Sequence, residues 1–349
     1  MGKKIHQQRE VASLTKIMTL WSVLKFIDQL QRFSSQNKEN QPPPPKSSEL
    51  INKKGNLSIS PLFSLNLPVT KRASTMIGTT SNIRYGDSLS IWDLLHCLML
   101  PSGNDAAVCL AEGIGTLALL MENKEEMGGR GRIKEGESLQ KLLNILENQV
   151  LEEEDLVSSA ENHFVEMMNL DAGELELLES RFSNPTGLAN KHNLSTAFDI
   201  AKLCVYGLRN PLFHKIVNTQ QYIATPTNKF QSKKTFKTEE NYVLRANNGI
   251  THKIEENKCH SSSSKRSLFL ENTNKLLKKG FTGVKTGITD PAGPCLAVAY
   301  KDVICVILKC RSMERRWEEA EGIVKWEEEG RRTVGRKEEE KRGMESGRR

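Results

Sequence analysis

Residues Leu14 to Leu30 constrain the fold more than any other stretch. Leu14, Ile17, Met18, Leu20, Trp21, Val23, Leu24, Phe26, Ile27 and Leu30 cover nearly every face of the helix that their spacing predicts. A helix that is apolar all round has no solvent side, so it has to run through the middle of a core. Ser13 and Lys16 stand at its head, three positions apart and therefore on one face. A lysine in that setting loses hydration, which disfavours its charged form. An amine that is neutral part of the time can take the proton of a neighbouring hydroxyl and turn it into a nucleophile. Ser-x-x-Lys alone is a common pattern, and it recurs at Ser22–Lys25, Ser35–Lys38, Ser138–Lys141 and Ser262–Lys265. Other polar clusters must select among them.

Composition removes several classes of function. The 50 basic and 43 acidic residues are interspersed, and their net charge of +7 reads as a mixed solvated surface. A nucleic-acid footprint would gather the basic residues on one face. The 7 cysteines are scattered, without CxxC or His/Cys ligand spacing, which argues against a disulfide framework or a zinc site. No metal or cofactor is implied. No uninterrupted apolar run approaches the roughly 20 residues of a membrane span, and Ile5 to Glu10 does not form the apolar centre of a signal peptide.

Along the chain, residues 1–10 read as a short polar lead-in and 11–325 as one domain with insertions. Polar insertions are expected near 34–56, which holds Pro42–Pro45, near 121–161, with a surface helix around Leu139–Leu151, and near 228–265. The charged segment 326–349 reads as a disordered tail. Ser90 is placed to cap a helix from Ile91 that Pro101 closes, and a second helix is predicted from Ala106 to about Leu120. Ser102 and Asn104 lie in the elbow between the two. Ser195-Thr196 would cap a helix over Ala197–Leu208. Cys295–Tyr300 and Val303–Leu308, joined by Lys301-Asp302, read as a hairpin that follows the β-like run Gly280–Gly287.

Ser13/Lys16, Ser102/Asn104 and Lys285/Thr286/Gly287 thus follow one another in the order of the Ser-x-x-Lys, Ser-x-Asn and Lys-Thr-Gly motifs of penicillin-binding proteins and serine β-lactamases. The flanks Ala12–Thr19, Leu100–Ala107, Asn184–Leu188 and Gly283–Gly287 resemble the low-molecular-weight D-alanyl-D-alanine carboxypeptidases, peptidase family S11. The resemblance covers about residues 11–325. It implies an α/β fold of helices around an antiparallel sheet, although the strands that the family places ahead of the nucleophile helix have no counterpart in residues 1–12.

The resemblance also implies roles. Ser13 would attack the peptide bond between two terminal D-alanines, with Lys16 as its proton acceptor and later as activator of water. Ser102 would relay a proton to the leaving amine, and Asn104 would hold the substrate amide. Lys285 and Thr286 would bind the terminal carboxylate, and Gly287 would let the substrate approach the sheet edge. The backbone N–H groups of Ser13 and Ile288 would form the oxyanion hole. The implied partners are peptides ending in D-Ala-D-Ala, of peptidoglycan type, and β-lactams as covalent inhibitors; the family is usually extracytoplasmic, and the sequence does not assign a compartment to this chain. A β-lactamase or esterase on the same scaffold, or a non-catalytic truncated relative that binds without turnover, is the alternative.

Overall fold

A computed structural model of the chain describes residues 2–36, 59–122, 154–228 and 266–346. Most of the three expected insertions, with the helix expected around 139–151, lies outside these residues. In chain order the elements are β1 (Arg9–Glu10), α1 (Thr15–Gln36), β2 (Asn66–Pro68), α2 (Lys71–Ser74), β3 (Asp87–Ser90), α3 (Ile91–Met99), α4 (Asn104–Glu122) and α5 (Glu154–Glu174). There follow β4 (Leu194–Ser195), α6 (Ala197–Arg209), α7 (Pro211–Asn218), β5 (Gln221–Ala224), β6 (Thr227–Asn228) and β7 (Leu268–Glu271). The chain closes with β8 (Thr282–Gly287), β9 (Cys295–Tyr300), β10 (Val303–Ile307) and α8 (Arg315–Ser346).

α1 is the buried helix that its composition demands. Leu14, Ile17, Met18, Leu20, Val23, Ile27 and Leu30 are enclosed, together with the polar Thr15, Lys16, Thr19 and Ser22. α3, α4, α5, α6 and α7 surround it. Ser90 caps α3 by accepting from the Asp93 N–H, and Thr196 caps α6 by accepting from Asp199, as the sequence indicates. α4 is long and apolar enough to cross a bilayer, yet residues 104–118 are buried against their neighbours, so the helix serves as core.

The principal sheet has the order β10-β9-β8 and is antiparallel throughout. Lys301-Asp302 makes the expected hairpin turn, with Lys301 in the left-handed region at φ 53°. β9 is buried on both faces, so its side chains divide between two cores. Cys295 and Ala297 join the large core around α1, whereas Leu296 and Val298 pack with Cys305, Ile307, Ala320 and Val324 beneath α8. Residues 9–10 form β1, which pairs with β4 and takes no part in this sheet.

Two boundaries differ from the sequence reading. The segment taken as insertion up to 161 is already core from Val157, because Gly115 of α4 lies so close to α5 that an added Cβ would meet the Ala160 carbonyl. The tail is helical: α8 continues to Ser346 instead of ending near Trp326 in disorder. Its charges lie at helical spacing, as in the Glu327–Arg331 pair. Lys301–Glu328 and Lys279–Glu321 then tie the helix to the hairpin turn and to the segment before β8.

Candidate active site

The turn that carries Ser13 is pressed from two sides by glycine backbone. Ala12–Leu14 is a single 3-10 turn ahead of α1, and Ala12 has φ 49°, an unfavourable conformation for a residue with a Cβ. Gly287, the last residue of β8, packs against it, and a Cβ there would stand 3.0 Å from the Ser13 nitrogen. Gly187 comes closer still, with φ 77°, and a Cβ there would be 2.0 Å from the Ala12 carbonyl oxygen. Surroundings this tight can hold the strained turn in place.

Lys16 is wholly buried, and its Nζ donates to three oxygens: Ser13 Oγ at 3.0 Å, Asn104 Oδ1 at 2.6 Å and the Thr186 carbonyl at 2.5 Å. Burial lowers the pKa of this amine well below that of a free lysine; the charge of Lys285 lowers it further, and Asp105 opposes the shift. A neutral amine has two N–H donors and one lone pair. An amide oxygen and a peptide carbonyl can only accept, whereas a hydroxyl can reverse and donate. In the neutral state the two N–H groups therefore go to Asn104 and Thr186, and the lone pair is left for Ser13 O–H. The Asn104 amide is held in this orientation because its Nδ2 donates to the Ile77 carbonyl at 2.7 Å.

Ser102 and Asn104 enter from the elbow between α3 and α4. Ser102 has φ 68°, and its carbonyl accepts from Thr79 Oγ1 at 2.7 Å, while the Asn104 N–H donates to the Thr79 carbonyl at 2.8 Å. Asp105 fixes the facing loop by accepting from the N–H groups of Ser81, Ile83 and Ala106.

The opposite wall is β8. Lys285 is buried, and its Nζ donates to the Thr286 carbonyl at 2.9 Å. Burial, helped by the Arg316 charge, pushes its pKa down to about 7. Thr286 Oγ1 shares a hydrogen bond with Thr273 Oγ1 at 2.7 Å. Arg316, in the first turn of α8, donates from Nη1 to the carbonyls of Gly287 (3.3 Å) and Cys295 (3.2 Å), and its buried Nε has no partner among the described residues. Neither cation is in an ion pair there. Two buried cationic side chains with no carboxylate partner among the described residues are able to accept an anion.

With this geometry the chain can be compared with known proteins. The family model described as D-alanyl-D-alanine carboxypeptidase matches residues 154–257. The D-alanyl-D-alanine carboxypeptidase DacF of Bacillus subtilis is 24% identical over 303 residues, 86% of this chain and 50% of that protein. A D-alanyl-D-alanine carboxypeptidase of Streptomyces sp. strain K15 is 26% identical over 69% of this chain and 62% of its own length. The crystal structure of the Streptomyces K15 DD-transpeptidase superposes with a TM-score of 0.58 at 22% identity, covering 93% of this chain and 90% of that one. The chain is similar to D-alanyl-D-alanine carboxypeptidases and shares the DD-transpeptidase fold. It spans about half the length of the Bacillus relative.

The three polar motifs legible in the sequence are brought to one region. Ser13, Lys16 and Asn104 are joined by direct hydrogen bonds, Gly287 abuts the Ser13 backbone, and Lys285 is close enough to act on the charge of Lys16. Ser102 is two residues from Asn104, and the half-exposed Ile288 continues the strand past Gly287. Sequence reasoning missed the Thr186 carbonyl, the bracing by Thr79 and Asp105, and Arg316. The Asn184–Leu188 run was visible as a match to the family. A backbone carbonyl and an arginine 31 positions beyond Lys285 carry no local signal. An apolar depression of about 220 Å³ beside the second half of α1, floored by Leu24, Ile27, Phe63 and Leu212, includes none of these residues.

Proposed function

We propose that the chain is a serine-type D-Ala-D-Ala carboxypeptidase working through an acyl-enzyme on Ser13. The observation that carries this reading is the Lys16 amine, with two acceptor-only partners and one reversible partner, the Ser13 hydroxyl. The proton of Ser13 passes to the Lys16 lone pair as Oγ attacks the carbonyl of the penultimate D-alanine. The oxyanion that forms meets the N–H groups of Ser13 and Ile288, each contributing on the order of 3 kcal/mol to transition-state stabilisation. Collapse expels the terminal D-alanine, whose nitrogen takes the proton from Lys16 by way of Ser102. Water then enters and gives a proton to Lys16 as its oxygen attacks the acyl carbon, and Lys16 passes that proton to Ser13 Oγ as the acyl group leaves, which restores the hydroxyl and the neutral amine.

Asn104, in this reading, orients the base and lies beside the substrate amide. Lys285, with Thr286, receives the terminal carboxylate, and it stands in a wall whose two buried cations donate to backbone carbonyls but have no carboxylate partner among the described residues. Gly287 leaves the β8 edge open to an extended peptide. A β-lactam carries a similarly placed carboxylate and a strained amide, and would acylate Ser13 in the same way.

The test is covalent labelling with a fluorescent penicillin, followed by D-alanine release from a diacyl-D-Ala-D-Ala peptide. Labelling that vanishes in Ser13→Ala, with turnover of the peptide, is the expected result. Folded protein that neither labels nor releases D-alanine would refute the proposal. Fast turnover of a nitrocefin-type lactam without peptide cleavage would convert it into a β-lactamase.

A further inference from the structure

The turn Asn184–Leu188 is built around one side chain. Asn184 Oδ1 accepts from the Gly187 N–H at 2.7 Å, from Thr186 Oγ1 at 3.0 Å and from the Thr186 N–H at 3.2 Å, and its Nδ2 donates to the Leu188 carbonyl at 3.2 Å. Thr186 Oγ1 in turn accepts from the Leu188 N–H at 3.1 Å. The turn is anchored to α1, since Thr19 Oγ1 donates to the Pro185 carbonyl at 2.7 Å. Its far end is wedged at Gly187 against the carbonyl of Ala12. Between these two fixed points the Thr186 carbonyl meets Lys16 Nζ at 2.5 Å.

We infer that Asn184 is a positioning residue for the base: by gathering its own turn it holds the Thr186 carbonyl on Lys16, and so leaves the amine lone pair only Ser13 to face. Without Asn184 the carbonyl can swing away, and an N–H of the neutral amine is freed to turn toward Ser13 Oγ. The lone pair then spends time pointing elsewhere. This inference rests on the reading of Lys16 as the base that activates Ser13.

A loss of position and a loss of base strength predict different pH behaviour. The other charged groups acting on Lys16 are Lys285 from β8 and Asp105 from α4, and substitution of Asn184 removes neither. The Thr186 carbonyl presents a partial negative charge that stabilises the ammonium more than the amine. Removing it therefore lowers the Lys16 pKa, leaving more neutral amine but worse aim. Asn184→Asp retains an oxygen that accepts from the same three donors, which favour its ionised form. The added negative charge near Lys16 raises the pKa of the amine.

The experiment is the second-order rate of acylation by fluorescent penicillin, measured against pH for the wild type, Asn184→Ala and Asn184→Asp, with unfolding midpoints recorded for each. Labelling of the wild type that is absent in Ser13→Ala must be seen first; its failure would strike the proposed function and not this inference. Asn184→Ala is expected to lower the high-pH plateau roughly 10- to 100-fold while its acid limb moves to lower pH. Asn184→Asp is expected to bring the plateau back to within a few-fold of wild type, with the acid limb moved to higher pH. A plateau in Asn184→Ala within about twofold of wild type, or a fallen plateau without a shifted limb, would overturn the inference. Should Asn184→Ala not fold, Asn184→Asp decides alone, and an unshifted acid limb there overturns it.

Discussion

Lys285 offers the sharpest quantitative test, because burial and Arg316 bring its pKa to about 7 in the free protein. As assigned, this lysine binds a carboxylate only when protonated. A base that titrates near 7 is charged in about nine tenths of molecules at pH 6, about half at pH 7 and about one tenth at pH 8. The affinity for a peptide carboxylate should therefore be flat below pH 6, fall about fivefold from pH 7 to 8, and lose about tenfold, or about 1.4 kcal/mol, per further unit. The bound carboxylate restores the charge, so binding at pH 8 takes up close to one proton, and binding at pH 6 takes up almost none. Calorimetry on Ser13→Ala, with an acyl-D-Ala-D-Ala peptide at pH 6 to 9 in buffers of different ionisation enthalpy, reads both affinity and proton uptake without turnover. The C-terminal carboxamide of the same peptide is the control, and its affinity should not follow this curve. Equal pH dependence for acid and amide, or no proton uptake at pH 8, would remove Lys285 from the carboxylate site.

Other outcomes follow from the packing. Glu112 on α4 is buried, accepts from Thr70 Oγ1 at 2.7 Å, and is only 3.5 Å from Arg72, which Glu161 of α5 shares; burial raises its pKa to about 7. Because the unfolded chain releases this proton first, the folded state loses stability as pH rises from about 4.5 through about 7, and Glu112→Gln should lift that loss by about 1–3 kcal/mol at pH 8. Urea unfolding of both proteins at pH 5 and pH 8 checks this, and a gain at pH 5 equal to that at pH 8 would contradict it. Gly187→Ala should reduce acylation by roughly 100-fold or more, since the new methyl combines a positive φ with a backbone collision at Ala12. Penicillin labelling at a normal rate would show that the wedge is unimportant.

How far the sequence reached can be judged residue by residue. The Leu14–Leu30 pattern requires a buried helix, and α1 is enclosed along its first half and keeps its aliphatic residues buried to Leu30, while Asp28 and Gln29 open one side of its second half to solvent. Ser90 and Thr196 announce their helices because capping is a local interaction between a hydroxyl and an N–H three residues on. The Lys301-Asp302 hairpin is local for the same reason. By contrast, α7, the short β5–β7 pair and the continuation of α8 to Ser346 were not read, since their stability comes from distant partners such as Glu328 with Lys301. Charge-rich composition looked like disorder in isolation.

By itself the sequence determined which chemical groups are present and in what order: a serine beside a lysine at the mouth of a core helix, a polar elbow, and a Lys-Thr-Gly strand. Tertiary structure decided the state of those groups. A lysine on an exposed helix is an ordinary cation, and the charged form of Lys16 is disfavoured only because burial strips its water, while the chain brings Asn104 and Thr186 to it from 88 and 170 residues away. The same holds for Arg316, which nothing local marks, and which meets Gly287 and Cys295 only because α8 folds back under the sheet. Protonation, hydrogen-bond direction and uncompensated charge depend on the local dielectric and on neighbours in space, and the order of residues along a chain encodes neither until it has folded.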